Sequence, residues 1–291
     1  MSISVQLPRE ISAFFDQLRE GILDAASHFG SAVKIAFNDL PTIGVGEVEA
    51  FEQALRVGAQ GIIIAPGYPE KLINLIKKAK DLDIPVVCVA TDAPGAERLT
   101  AVSVDPFTNG SVVGELMGRF LQGQGEVVVV TGLLSASDHA GKLMGFRDTL
   151  RKLFPRIEVI DTIEAHDDPQ EARQKTRQAL ADHPSLSGIY VSTANSIPVV
   201  EAVDELGLGA KVTIITTDLF PALAPFIHSG KVAATIHQRP YEQGQIAFTT
   251  LNRFVVERRK PAPYIKLAPE IVIKSNLDIF LERLPLTLGD Q

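Results

Sequence analysis

The stretch GIIIAPGYPEKLINLIKKAKDLDIPVVCVATD, from Gly61 to Asp92, recurs in pattern as GIYVSTANSIPVVEAVDELGLGAKVTIITTD, from Gly188 to Asp218. Each copy runs glycine, buried strand, small-residue loop, helix, second strand, then threonine and aspartate. The preceding segments agree as well, LREGILDAASHFGSAVKIAF before the first copy and LMGFRDTLRKLFPRIEVID before the second. The copies begin at Gly61 and Gly188, a separation well beyond the roughly 20 to 50 residues of a solenoid period, so the repeat is a duplicated lobe. The 291 residues of the chain exceed the roughly 100 to 200 of a common domain, which leaves room for two lobes with separate cores.

Within each copy, short β-branched runs alternate with longer amphipathic stretches, the pattern of βαβ units and a parallel sheet. Strands are expected at ISVQL, VKIAF, GIIIA, PVVCV, EVVVVT, IEVID, GIYVS, VTIIT and VAATI. Helices are expected at FFDQLREGILDAASHF, EKLINLIKKAKDL, FTNGSVVGELMGRFL, HAGKLMGFRDTLRKLF and PQEARQKTRQALADH. Ser12 reads as the cap of the first helix and Asp105, followed by Pro106, as the cap of the third. The fold class is α/β, with two similar lobes that each hold a parallel sheet flanked by helices.

The net charge of -7 disfavours a phosphate backbone as partner, because nucleic-acid affinity comes largely from clustered Lys and Arg. Cys88 is the one cysteine and lies in the apolar run IPVVCVA, so no internal disulfide forms and a buried thiol is expected. No apolar run reaches the roughly 18 residues of a membrane span, and Ser2 to Pro8 is too short for a signal-peptide core. The sequence reading therefore expects a cytoplasmic chain, or one from whose front a segment has been removed.

In open parallel sheets, ligands bind beyond the carboxyl ends of the strands, where loops converge. Two such lobes facing each other make a cleft, lined from the sequence by Phe14 and Phe15, Pro66 to Tyr68, Thr91 and Asp92, Leu133 to Lys142, Ser192 to Asn195, and Asp218. Carboxylates and amides suit sugar hydroxyls, and aromatic faces cover the apolar side of a ring. Asp218, after the strand ITT, is the first candidate; the alternative is a helix cap for PALAPFI. Asp92 is its repeat mate, with an ordinary turn as the competing reading. Adjacent Phe14 and Phe15 should split between core and cleft.

Asp138, His139 and Lys142 cluster before GFRDTL and fit either a site or a solvated first turn; Lys142 hints at an anion. His166, Asp167 and Asp168 resemble a metal set, but acidic residues there open the helix that starts at Pro169. HExxH, GxSxG, paired CxxC and GxxxxGK[ST] patterns do not occur, and GVGE at Gly44 to Glu47 lacks the spacing of a dinucleotide fingerprint. The expectation is a binding protein that is not an enzyme, with no cofactor, no catalytic residue and no metal. Asn109 begins a sequon inside an expected helix and carries no weight as a glycosylation site.

Taken together, SAFFDQLREGI, GIIIAP, IPVV followed by AERLTAVSVDPFTNG, the GF of Gly145 and Phe146, GIYVSTAN, ITTD and ATIHQRP resemble the type I periplasmic-binding-protein superfamily. That superfamily joins ribose-type binding proteins to the effector domains of LacI/GalR-type transcriptional regulators. HAGKLMGFRDTLRKLFP, DDPQEA, HPSLSGIYVS and IHQRP look most like the LacI-type branch. The resemblance implies three crossovers between lobes, near Val104, Gln238 and Pro269. The lobes are then residues 1–104 with 239–268, and 105–238 with 269–291. It implies ligand contacts at the Phe pair, at Thr91 and Asp92, at His139 and Lys142, at Asn195, at Asp218 and at Gln238.

Two departures stand out: Ala90 where many ribose-type proteins carry Asp, and Lys142 where they carry Arg. The resemblance implies a sugar or polyol effector and a homodimer. A LacI-type regulator would touch operator DNA only through a helix-turn-helix domain absent from this chain. The competing reading is the binding component of an uptake transporter with its signal peptide removed. The sequence reading prefers the regulator.

Overall fold

The computed structural model describes residues 1–284; residues 285–291, assigned from the sequence to the second lobe, lie outside the described residues. The chain runs through β1 (Ser2–Pro8), α1 (Ser12–Ser27), β2 (Lys34–Leu40), α2 (Glu47–Arg56), β3 (Gly61–Ile64), α3 (Pro69–Asp81), β4 (Val86–Val89) and β5 (Thr100–Val104). It continues through α4 (Pro106–Phe120), β6 (Gln124–Thr131), α5 (Ser137–Leu153), β7 (Arg156–Glu164) and α6 (Pro169–Asp182). Then come β8 (Leu186–Val191), α7 (Ser196–Glu205), β9 (Thr213–Thr217), α8 (Ala224–His228) and β10 (Ala234–His237). The last described elements are α9 (Pro240–Glu257), β11 (Tyr264–Leu267), β12 (Glu270–Val272) and α10 (Leu277–Leu281).

The duplication becomes geometry in the sheets. One sheet has the order β11-β5-β4-β3-β1-β2 and the other β12-β10-β9-β8-β6-β7, the same order with each strand number of β1 to β5 raised by five. Pairing is parallel throughout except at β12, which runs antiparallel to β10. Strands such as Gly61–Ile64 and Val86–Val89 are buried along their whole length, because helices cover both faces of a parallel sheet. Alternate side chains therefore feed two cores. Ile63, Val87 and Val102 pack with Phe15 and Phe248, whereas Ile62, Val86 and Cys88 pack with Phe51 and Ile76. The other sheet repeats this with Val129 and Ile215 on one face and Val128 and Ile214 on the other.

Asp105 caps α4 as expected, its carboxylate accepting from Thr108 N at 2.8 Å. Ser12 is not a cap. Phe14 N and Phe15 N both donate to Ile11 O, so the helix begins one residue earlier in register and Ser12 is its first residue. The expected strands omitted β5, β11 and β12. The last two are edge strands of 4 and 3 residues, too short to show alternation.

The chain passes between the sheets after β5, after β10 and between β11 and β12. The lobes touch: Ser135 Oγ donates to Gly67 O at 2.9 Å, Asp92 N donates to Ser137 Oγ at 2.9 Å, and Gln17 Nε2 donates to Leu219 O at 3.3 Å. The cleft is closed in this structure.

Candidate ligand-binding site

Two backbone turns set the site. Ala90 follows β4 and Asp218 follows β9, and both are left-handed, with φ of 65° and 74°. Ala90 N bonds Val102 O in β5, and Asp218 N bonds Ile236 O in β10. Those acceptor strands hold the same place in their sheets, so Asp218 and Ala90 are the equivalent pair. The sequence match of Asp218 to Asp92 is thereby corrected. A left-handed residue with a Cβ is strained, and here the turn directs the Asp218 side chain into the cleft.

Between the lobes lies a small cavity of about 40 Å³. Of the residues expected from sequence, Phe14, Phe15, Thr91, His139, Lys142, Asp218 and Gln238 line it. Ala90, noted in the sequence as a departure from ribose-type proteins, lines it too, as do Ile11, Ile43 and Asp167, which the sequence did not place there. Phe14 and Phe15 do not split between core and cleft. Both are buried and both border the cavity, edge to face with ring centroids 5.0 Å apart, because the first turn of α1 is wedged between the lobes.

Three carboxylates face this space. Asp218 Oδ1 accepts from Gln238 Nε2 at 2.7 Å, and no helix uses Asp218 as a cap: the short helical turn that follows starts from Phe220 without a side-chain cap. Burial pushes the Asp218 carboxyl up to about 6, against the pull of nearby Lys142 and the Gln238 bond. Asp138 Oδ2 pairs with Lys142 Nζ at 2.6 Å, leaving Oδ1 buried without a partner. Asp167 accepts from Thr193 Oγ1 through Oδ1, and its Oδ2 is also buried and unpaired. Unpaired buried acceptors cost stability until a donor reaches them, so the cavity is prepared for a ligand rich in hydroxyl donors.

The hint of an anion at Lys142 finds no support in its surroundings. Its side chain is 2% exposed and its ammonium pairs with Asp138, and three carboxylates outnumber it. Gly132 lets two of the polar groups converge: a Cβ there would lie 2.4 Å from His139 Cε1 and 2.5 Å from Asp167 Oδ1. Leu133 holds the His139 ring, with Nδ1 2.9 Å from Leu133 N and 3.1 Å from Leu133 O. The apparent metal set divides its work. His166 meets Glu171 at 3.0 Å, Asp168 caps α6 through Gln170 N and Glu171 N, and Asp167 alone turns to the cavity.

Three expected contacts lie elsewhere. Asp92 is held by the Arg98 guanidinium, with Nη2 2.5 Å from Oδ2, and its Oδ1 accepts from Ala93 N. It sits two residues past the left-handed turn, where the chain has already swung away. Tyr68 packs at the cleft rim against Gly44. Asn195 borders the wider cleft mouth beside Asp167, Thr193 and Ala194.

A family model described as a periplasmic binding protein domain matches residues 3–258. The chain is 22% identical over 276 residues to the D-allose-binding periplasmic protein of Escherichia coli, covering 91% of this chain and 87% of that protein. It is 21% identical over 219 residues to the HTH-type transcriptional repressor PurR of Klebsiella pneumoniae, covering 74% of this chain and 62% of the repressor. Among solved structures, it is 26% identical to a transporter solute-binding protein from Burkholderia graminis in complex with D-arabinose, with a TM-score of 0.87, 95% of this chain and 96% of that chain covered. These relatives are binding proteins and repressors. The two-lobed type I fold read from the sequence is the fold they share.

Proposed function

We propose, since this chain belongs to the periplasmic binding protein domain family, that it binds one neutral sugar or polyol and is the solute-binding component of a sugar uptake transporter. The observation that carries the ligand class is the trio Asp138, Asp167 and Asp218 around one cavity between the lobes. Each offers a carboxylate oxygen to hydroxyl donors, and charged acceptors sealed from water make the stronger hydrogen bonds. Sugar acids and sugar phosphates meet net negative charge there, and their own carboxylate or phosphate finds Lys142 already occupied. The Phe14 and Phe15 rings cover the apolar side of the ligand.

The transporter reading is supported by the span of the relationship: the chain covers 87% of the E. coli sugar-binding relative and 62% of the repressor. This reverses the preference drawn from short motifs. The regulator remains the second reading because a repressor is among the relatives; it calls for a homodimer in the cytoplasm, with operator DNA contacted through another domain. Transport components work outside the cytoplasm as monomers.

Two measurements test these readings. Thermal melting and native mass spectrometry with neutral pentoses, hexoses, hexitols and inositol, against uronic acids and sugar phosphates, should give stabilisation by neutral members alone. Stabilisation by the acids alone overturns the ligand class. Sedimentation at tens of micromolar should give a single 31.4 kDa species. A stable dimer turns the reading to the regulator.

A further inference from the structure

The GVGE segment, Gly44 to Glu47, contributes no polar group to the cavity, yet Glu47 is 1% exposed. Its carboxylate accepts from Gly67 N at 2.8 Å and from Tyr68 N at 2.9 Å. Burial raises the Glu47 carboxyl despite those two bonds, so the group sits at a cost that the loop around it must justify. The second bond matters most. The N–H of Tyr68 and the carbonyl of Gly67 belong to one planar trans peptide and point in opposite directions. Holding the N–H inward on Glu47 turns the carbonyl outward, and there Ser135 Oγ of the facing lobe donates to it at 2.9 Å.

The surrounding packing leaves this peptide little freedom. A Cβ on Gly67 would lie 2.4 Å from Gly44 N, and one on Gly44 would lie 2.6 Å from the Tyr68 ring and 3.3 Å from Leu133 Cδ2. The two glycines thus let the 43–47 turn and the 66–68 loop close into a single rim that meets Leu133 and Ser135. Ile43, at the start of the same turn, is a wall of the cavity. Rim and cavity are one structure.

We propose that Glu47 is a positioning residue for lobe closure, fixing the Gly67–Tyr68 peptide so that the Gly67 carbonyl latches onto Ser135. The inference concerns closure itself and stands whichever small molecule fills the cavity. The test uses the full chain without ligand, spin-labelled at Asn74→Cys on α3 and Gln174→Cys on α6, both exposed positions. Cys88 is buried and stays unlabelled. Pulsed dipolar spectroscopy then reads the short-distance, closed fraction. Glu47→Gln and Ser135→Ala should each reduce that fraction at least threefold, and the double variant should reduce it no further than the larger single effect.

Independent, multiplying effects would overturn the latch. So would a Glu47→Gln protein with a lowered melting temperature and an unchanged closed fraction, which is the signature of a purely structural role. Ser135 is exposed, so Ser135→Ala folds even if Glu47→Gln does not. An unchanged closed fraction in Ser135→Ala alone sinks the proposal.

Discussion

Gln238 Nε2 donates to Asp218 Oδ1 at 2.7 Å, and this bond ties the principal acceptor of the cavity to the point where the chain leaves β10 for the other lobe. Gln238 Oε1 in turn accepts from Asn109 Nδ2 at 3.2 Å, so a second crossing helix, α4, orients the amide. Asn109 is fully buried, which also removes it as a glycosylation site. An acceptor aimed from the crossover keeps its direction whether the lobes are open or closed.

Asp218→Ala should therefore weaken ligand binding by at least about tenfold, because two charged hydrogen bonds at roughly 1.5 to 3 kcal/mol each are lost. Its melting temperature should not fall, since the variant also removes a desolvated carboxylate. Calorimetry with a sugar found by melting shift, paired with a melting curve, checks both. Unchanged affinity would remove Asp218 from the site.

The raised Asp218 carboxyl gives a pH signature. Its folded value of about 6 exceeds the ordinary 3.8, so between those values the folded state holds a proton that the unfolded state has released. Stability of the free protein should accordingly fall, by about 1 to 3 kcal/mol, as pH rises from about 4 to about 6. Ligand hydroxyls favour the ionised form, so affinity should rise over the same window and binding should release a proton near pH 6. Titration calorimetry in two buffers of different ionisation enthalpy measures that proton. Asp218→Asn should abolish both effects; proton uptake instead of release would contradict the assignment.

Asp92 should behave in the opposite way. Its carboxylate belongs to Arg98, which also donates to Pro263 O at 2.9 Å, so the pair braces the end of β4 against the segment before β11. Arg98→Ala should lower stability by about 1 to 3 kcal/mol, as expected when a charged hydrogen-bonded partner is left alone, with sugar affinity changed less than threefold. A tenfold affinity loss without destabilisation would restore Asp92 to the site.

What the sequence disclosed was periodicity. The duplicated βαβ pattern placed the buried strands and, through them, the strand-end loops that carry Asp218 and Thr91 and the helix start that carries Lys142. It could not disclose hydrogen-bond register between neighbouring strands, and that register pairs Asp218 with Ala90 and not with Asp92. Asp167 was hidden for a related reason. Consecutive left-handed residues, His166 and Asp167 with φ of 48° and 58°, turn a carboxylate inward from a segment that reads as an acidic helix start. Ile11 and Ile43 look like ordinary core residues, and only the approach of the lobes makes them walls.

The duplication also leaves a mark in helix packing that mutation can read. Where α4 crosses α5, a Cβ on Gly110 would lie 1.9 Å from Lys142 O, and one on Gly145 would lie 2.0 Å from Phe107 O. Where α1 crosses α9 in the other lobe, a Cβ on Gly21 would lie 1.9 Å from Tyr241 O and one on Gly244 would lie 2.1 Å from Leu18 O. Each crossing thus rests on a reciprocal pair of glycines against backbone carbonyls, which cannot rotate aside as side chains do. Gly110→Ala and Gly21→Ala should each destabilise the protein by about 1 to 3 kcal/mol or more through overpacking. The first should do more, because α5 carries Asp138, His139 and Lys142 in its opening turns. Pushing it off α4 displaces all three, so ligand affinity should fall at least tenfold at temperatures where the variant is fully folded. Melting curves and calorimetry on both variants decide this: if Gly110→Ala melts and binds like the wild type, the helices are not held at the contact distance seen here.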